Sequence, residues 1–254
     1  MELLSIMLIR IDELERVGDV YVNPRNLRAK PLLLKTWRDF LSLDEKTYGI
    51  YARTIYNPRE RFLVTDEFSE ARAIDLSALY RSFLMDAEYF CGGENLRYQL
   101  QVGEFEGLPF ANGWTGSKVV LVGEAPGRRG CGKTGVCFYR DASGMLLRKT
   151  LFSLGINPDF VYITNAVKCN PPNNRLSRVP EGAYELLARE LEILRPGTIF
   201  ALGRTAERAL KELGFEVEYL RHPAWYVRRG VHEPNDEMLA EYAKIREAFG
   251  EWTP

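Results

Sequence analysis

Glutamine is almost missing from this chain: Gln99 and Gln101 are the only two in 254 residues. Histidine is as rare, with two. Glutamate, lysine and arginine are plentiful by contrast, a bias seen in heat-adapted proteins, so a thermophile source is expected. The four cysteines, Cys91, Cys131, Cys137 and Cys169, are too few and too scattered for a secreted disulfide framework. Long hydrophobic runs are absent too. Residues 1–10 hold a short apolar stretch flanked by charges, too short and wrongly flanked for a signal peptide, and nothing later could span a bilayer. These absences lead to an expectation of a cytoplasmic protein with no membrane partner. An excess of charge is lacking as well, with 34 Lys+Arg against 35 Asp+Glu. That balance does not exclude nucleic acid, because phosphate is met by a local basic face and not by the net sum.

What is present suffices for a sizeable core: 46% of the residues are hydrophobic. The first 90 residues offer only short apolar runs and a helical pattern over 75–89. Within them, residues 48–61 interleave Tyr48, Tyr51 and Tyr56 with Arg53, Arg59 and Arg61. Such mixtures can grip a nucleic-acid backbone, but an ordinary amphipathic surface explains this one better. From Lys118 the pattern is clear. Strands are expected at 119–122, 161–165, 198–202 and 215–220, and helices at 143–154, 180–194, 204–213 and 237–249. The continuous apolar runs mark strands covered on both faces. The expected fold class is α/β: a three-layer α/β/α sandwich around a short, mainly parallel four-stranded sheet over residues 91–254, with residues 1–90 as an N-terminal extension of unknown role. In such sheets ligands bind beyond the carboxyl ends of the strands. Those ends carry residues 123–127, Asn165, Gly203 and His222.

One phosphate-binding motif competes for the same loop. Gly127-Arg-Arg-Gly-Cys-Gly-Lys133-Thr134 fits the P-loop pattern letter for letter. A P-loop joins a strand directly to the helix that begins at Lys-Thr. Here four residues separate Val122 from Gly127, and Gly135-Val-Cys-Phe-Tyr139 is no helix start. A P-loop nucleotide triphosphatase is therefore the weaker alternative. The overlapping G-x-G-x-x-G at residues 130–135 fails on the same context.

Four blocks then stand in order: Gly123-Glu-Ala-Pro-Gly127; Thr134-Gly-Val-Cys-Phe138 with Ser143-Gly-Met-Leu-Leu147; Tyr162-Ile-Thr-Asn165-Ala-Val-Lys168-Cys169-Asn-Pro-Pro172-Asn-Asn-Arg175; and His222-Pro-Ala-Trp-Tyr226-Val-Arg228. Together they resemble the uracil-DNA glycosylase superfamily, intermediate between its families 4 and 5, over roughly residues 91–228. The resemblance implies a monomeric base-excision enzyme that hydrolyses the bond between a deaminated base and its sugar, uracil first and hypoxanthine second. Its partner would be DNA holding a damaged base. A non-catalytic DNA-damage binder of the same fold is the alternative.

The resemblance also assigns roles. Gly123, Ala125, Pro126 and Gly127 belong to the loop that handles water. Phe138 stacks on the flipped base, and Asn165 matches both a donor and an acceptor on its edge. His222 donates to the departing base as negative charge grows. Lys168 and Arg175 touch phosphate, and residues 226–228 lie where the family pushes a wedge into the duplex, so Tyr226 and Arg228 are further DNA contacts. Family 4 has an acidic residue where this chain has Gly130, so Glu124 becomes the candidate to direct water. No cofactor is needed for that chemistry. A four-cysteine iron–sulfur cluster is typical of both families, but only Cys91 and Cys169 fall at its places, with Glu94 and Ala183 at the other two. The expectation is therefore against a cluster. A Cys91–Cys169 disulfide would then be a remnant of the lost site.

Overall fold

Val119-Val-Leu-Val122 is apolar at every position because both of its faces are covered: each of the four side chains is fully buried. The strand sits at the centre of a sheet seen in a computed structural model. That model describes residues 111–131, 137–168, 170–176, 179 and 182–250, and before them 7–10, 15–17, 20–22, 62–65, 71–72, 75–76 and 79. In the N-terminal part, β1 (Met7–Arg10) pairs antiparallel with β4 (Phe62–Thr65), and β2 (Glu15–Val17) with β3 (Val20–Val22). The main sheet is built from β5 (Ala111–Asn112), β6 (Val119–Gly123), β7 (Tyr162–Asn165), β8 (Thr198–Leu202) and β9 (Glu218–Leu220). Its order is β5-β7-β6-β8-β9, parallel throughout except for β5 at one edge.

Five helices follow: α1 (Ala142–Ser153), α2 (Ala183–Leu194), α3 (Arg204–Glu212), α4 (Pro223–Val227) and α5 (Asp236–Phe249). Alternation along β6 divides the core in two. Val119 and Leu121 pack with Leu147 and Leu151 of α1 and with Met238, Tyr242 and Ile245 of α5. Val120 and Val122 face the other way, against Leu186, Leu187 and Leu191 of α2 and Ala206 and Leu210 of α3. Two helical layers on one sheet make the α/β/α sandwich that the alternating pattern predicts. Leu76 and Leu79 are buried in the second cluster, so part of the N-terminal region packs on the sheet domain. Residues 75, 76 and 79 are helical as expected; the rest of 75–89 lies outside the described residues.

The sheet differs from expectation at its edges. The fifth strand is only two residues long, too short to leave a periodic signal. The last strand begins at Glu218 and not at 215, because the Phe215 N–H bonds the Leu210 carbonyl and so finishes the turn out of α3. Helix α4 spans five residues opened by Pro223, below the length at which periodicity is readable. The connection from β6 to β7 runs through α1, and that from β7 to β8 crosses back through α2 on the opposite face. The chain thus reverses direction across β6, and a crevice opens at the carboxyl ends of the strands.

Candidate active site

The crevice is a cavity of about 430 Å³, within the usual range for a small-ligand pocket. Glu124, Ala125, Pro126 and Gly127 line it from the end of β6, Phe138, Asp141 and Ser143 from the start of α1, and Asn165 from the end of β7. Leu202, Gly203, Arg204, His222, Trp225 and Arg228 close the far side. Of the residues expected to hold a base, Phe138, Asn165 and His222 therefore meet around one space.

Close packing fixes their positions. Gly123 has to be glycine: a Cβ there would stand 2.5 Å from Asn165 Oδ1 and 2.8 Å from the Phe138 ring. Asn165 is nearly fully buried, and its Nδ2 donates to Cys137 Sγ at 3.2 Å. Phe138 adopts φ 51°, a left-handed conformation that costs a non-glycine residue energy. The buried Arg148 of α1 holds it there, donating from Nε to the Phe138 carbonyl at 2.7 Å and from Nη2 to the Cys137 carbonyl at 3.3 Å. The Phe138 ring lies 5.4 Å from the His222 ring, centre to centre.

His222 caps α4, and its Nδ1 accepts the Ala224 backbone N–H at 3.0 Å. That bond puts the imidazole proton on Nε2. Burial, helped by the positive charge of Arg228, lowers the His222 pKa to about 4. At neutral pH the side chain is a neutral donor that cannot accept at Nδ1 from anything else.

An acidic side chain fills the space that Gly130 leaves open. A Cβ on Gly130 would collide with Asp141 Oδ2, so the small residue and the carboxylate form one arrangement. Asp141 is the N-cap of α1, with Oδ1 accepting the Gly144 N–H at 2.6 Å. Its Oδ2 faces Gly130 and Gly127 in the cavity wall. Burial raises the Asp141 pKa above the ordinary carboxylate value, although its backbone hydrogen bonds and Arg148 pull it down. Sequence reasoning missed this residue. Asp141-Ala-Ser-Gly144 reads as a helix start, and a capping role conceals a second oxygen turned elsewhere. Glu124, the residue expected in this role, also lines the cavity and, like Asp141, is half-buried.

The loop after β7 braces the first loop. Asn170 Nδ2 donates to the Pro126 carbonyl at 2.5 Å and to Asn174 Oδ1 at 3.1 Å. Asn174 Oδ1 also receives the Arg128 N–H at 2.8 Å. Asn173 and Asn174 both take left-handed conformations that asparagine tolerates. Arg128, Arg129, Arg140, Arg175 and Arg228 are exposed, a local basic face in a chain of balanced charge. On this side Trp225 lies between two guanidinium groups, Arg229 at 3.5 Å and Arg221 at 4.7 Å from its ring centre.

Two expected DNA contacts are corrected by these positions. Lys168 is fully buried and ion-paired with the equally buried Glu190 of α2. It also donates to Thr164 Oγ1 and, at 2.8 Å, to the Asn165 carbonyl. A lysine with every donor committed inside the protein cannot reach phosphate; it fixes the strand end that carries Asn165. Tyr226 is likewise fully buried, its hydroxyl donating to Glu241 Oε2 at 2.5 Å. It faces inward from α4 and ties that helix to α5.

Residues 110–245, more than half of the chain, match the uracil DNA glycosylase superfamily. The chain belongs to that superfamily. It is 43% identical over 105 residues to the type-4 uracil-DNA glycosylase of Archaeoglobus fulgidus, a match that covers 41% of this chain and 51% of that protein. To the type-5 uracil-DNA glycosylase of Pyrobaculum aerophilum it is 41% identical over 123 residues, covering 42% and 54%. The type-4 enzyme of Thermotoga maritima is 46% identical over 92 residues, covering 35% and 47%. The chain thus spans about half the length of the curated relatives it matches, and it resembles both types, as its motifs do.

Among the described residues, no group of three or more His, Cys, Asp or Glu side chains could hold a metal ion. Cys91, Glu94 and Cys169 lie outside the described residues, but Ala183, which opens α2, has no atom that can ligate iron. Cys131 and Cys137 both touch Asn165 at the end of β7 and are not available to complete such a set. Among the described residues, no helix is long and apolar enough to cross a membrane.

Proposed function

We propose that this protein is a DNA glycosylase that flips a deaminated base, uracil before hypoxanthine, into the cavity at the carboxyl end of the sheet and hydrolyses its bond to the sugar. The observation that carries this reading is the tautomer of His222. With Nδ1 bonded to the Ala224 N–H, Nε2–H is left as a donor in the same cavity wall as Phe138 and Asn165. Cleaving the glycosidic bond leaves the electron pair on the base, so a fixed donor aimed there stabilises the transition state more than the ground state.

The flipped base stacks on Phe138. The Asn165 amide offers one N–H and one carbonyl to the base edge, complementary to the O4 and N3–H of uracil and opposed to the pattern of cytosine. Water attacks the sugar carbon as the bond to the base breaks, and a carboxylate takes its proton. Asp141 is the better placed of the two pocket acids, because it occupies the space vacated at Gly130 and burial makes it a stronger base than an ordinary carboxylate. Glu124 is the second candidate. Ala125, Pro126 and Gly127 shape the water site, and Arg175 and Arg228 hold the DNA backbone. No metal or cluster enters the reaction, the protein acts as a monomer in the cytoplasm, and residues 1–90 form an extension to the catalytic domain of 91–254.

A panel of oligonucleotides, each with a single modified base, is treated with the protein and then with alkali. Strand breaks at uracil, and more weakly at hypoxanthine, are expected. Tight binding to such a lesion with no break at any base would replace this reading with a non-catalytic damage binder. Thermal stabilisation by ATP and magnesium, without breaks, would favour the nucleotide triphosphatase.

A further inference from the structure

Cys131 and Cys137 play no part in the chemistry above, yet their sulfurs are 3.2 Å apart beside Asn165. Both side chains are buried. Cys131 belongs to the cavity wall, so a small solute that enters the cavity can reach it. Cys137 directly precedes the stacking residue Phe138. Asn165 Nδ2 touches both sulfurs, at 3.2 Å from Cys137 and 3.9 Å from Cys131. The two thiols are thus in contact with each other and with the groups that would read and stack the base.

We propose that Cys131 and Cys137 are a modification site: a dithiol that hydrogen peroxide oxidises to a disulfide, displacing Phe138 and Asn165 as it forms. The functional half of this inference rests on the glycosylase reading; the chemical half does not. The sulfur of one cysteine, as thiolate, attacks a peroxide oxygen; the O–O bond breaks and one water leaves, giving a sulfenic acid. The second sulfur displaces the hydroxyl, which leaves as a second water. Two S–H bonds are lost, one S–S bond forms, and the two electrons surrendered by sulfur reduce the peroxide. A disulfide holds its sulfurs about 2.05 Å apart, so the pair must close by roughly 1 Å. Asn165 and Phe138 touch or adjoin that pair, and a misplacement of about 1 Å at a reacting centre can cost on the order of 100-fold in rate.

Burial, and then the neighbouring Cys137, push the Cys131 thiol well up. Thiolate is therefore scarce at neutral pH, and oxidation accelerates as the pH rises. The pair is stable as a dithiol under ordinary conditions and responds to sustained oxidant.

The test uses the whole protein, treated with hydrogen peroxide at alkaline pH, alkylated, digested and weighed. A linked peptide joining Cys131 to Cys137 is expected, two hydrogens lighter than the reduced pair and cleaved by dithiothreitol. Single-turnover excision of uracil should fall by at least about tenfold in the oxidised protein and return on reduction. In Cys131→Ser, whatever its basal rate, the ratio of oxidised to untreated rate should stay near one; Cys137→Ser provides the same ratio if the first variant does not fold. Full alkylation of both thiols after peroxide overturns the proposal, as does a bridge between Cys91 and Cys169 in place of this one. A bridge that leaves the excision rate unchanged refutes its effect on the pocket. If the protein excises no base at all, the glycosylase reading fails while the peptide mass still decides whether the site exists.

Discussion

His222 keeps its proton on Nε2 because the Ala224 N–H occupies Nδ1. With a pKa near 4 it stays neutral across the physiological range. In an NMR titration its ring signal should move near pH 4, while a free histidine would move near its ordinary value of 6.5. A midpoint above about 7 would leave much of the ring protonated at neutral pH and remove the neutral-donor role. Asp141 can be separated from Glu124 at the same scale. Asn caps a helix about as well as Asp, so Asp141→Asn keeps the start of α1 while removing the base. Single-turnover excision should slow by about 10²–10⁴-fold with DNA binding little changed. Glu124→Gln should cost less than about tenfold, too little for a general base. The opposite order would return the role to Glu124. Because burial raises the Asp141 pKa, the acid limb of the excision rate should lie above the ordinary carboxylate range and vanish in Asp141→Asn. For Asn165→Asp, a carboxylate accepts but cannot donate. Loss of uracil recognition is expected, with a cost on the order of 1–3 kcal/mol for a bidentate contact.

Strand β7 carries Asn165 at its end, and what fixes that end is a polar cluster inside the apolar layer beneath it. Lys168 pairs with Glu190 of α2, and Glu190 Oε1 accepts from the Tyr162 hydroxyl at 3.0 Å and the Thr164 hydroxyl at 2.9 Å. All four side chains are fully buried. Removing one member leaves an uncompensated charge, so Lys168→Met should lower unfolding stability by about 3–5 kcal/mol in a denaturant titration. A surface phosphate contact would instead show wild-type stability and weaker DNA binding. The lysine was legible in the sequence as a member of the motif, but its direction was not. A lysine after a strand end can extend to solvent or fold back, and only α2, placed by the crossover, supplies the buried carboxylate. Tyr226 was misread for a similar reason. In Trp225-Tyr226-Val227-Arg228 the inward face of a five-residue helix is decided by α1, packed against it, and by Glu241 and Tyr242 of α5, which meet Tyr226.

At the scale of the whole molecule, a net charge near zero coexists with exposed arginines at the cavity: Arg228 lines it, and Arg128, Arg140 and Arg175 adjoin the lining residues Gly127, Asp141 and Asn174. If Arg175 and Arg228 each neutralise a phosphate, replacing either with alanine should weaken binding to any DNA sequence. The slope of log K against log salt should then become shallower by about 0.9 per contact removed. A change confined to lesion-bearing DNA would mean that the residue reads the base and not the backbone.

The sequence by itself determined the layered α/β fold, the positions of its four longer strands along the chain and the residues at their carboxyl ends. Periodicity and apolar runs are local signals, and each strand buried on both faces announces itself. It also placed Asn165 and His222 in one site, since strand ends in such a sheet share one edge, and the family resemblance added Phe138. Only the tertiary structure decided which acid stands where Gly130 leaves room, how Arg148 holds Phe138 in a left-handed conformation, and that Lys168 and Tyr226 face inward. Each of these depends on a contact between residues from different elements. A residue type restricts what a side chain can do, but its direction is set by partners that only the folded chain brings within reach.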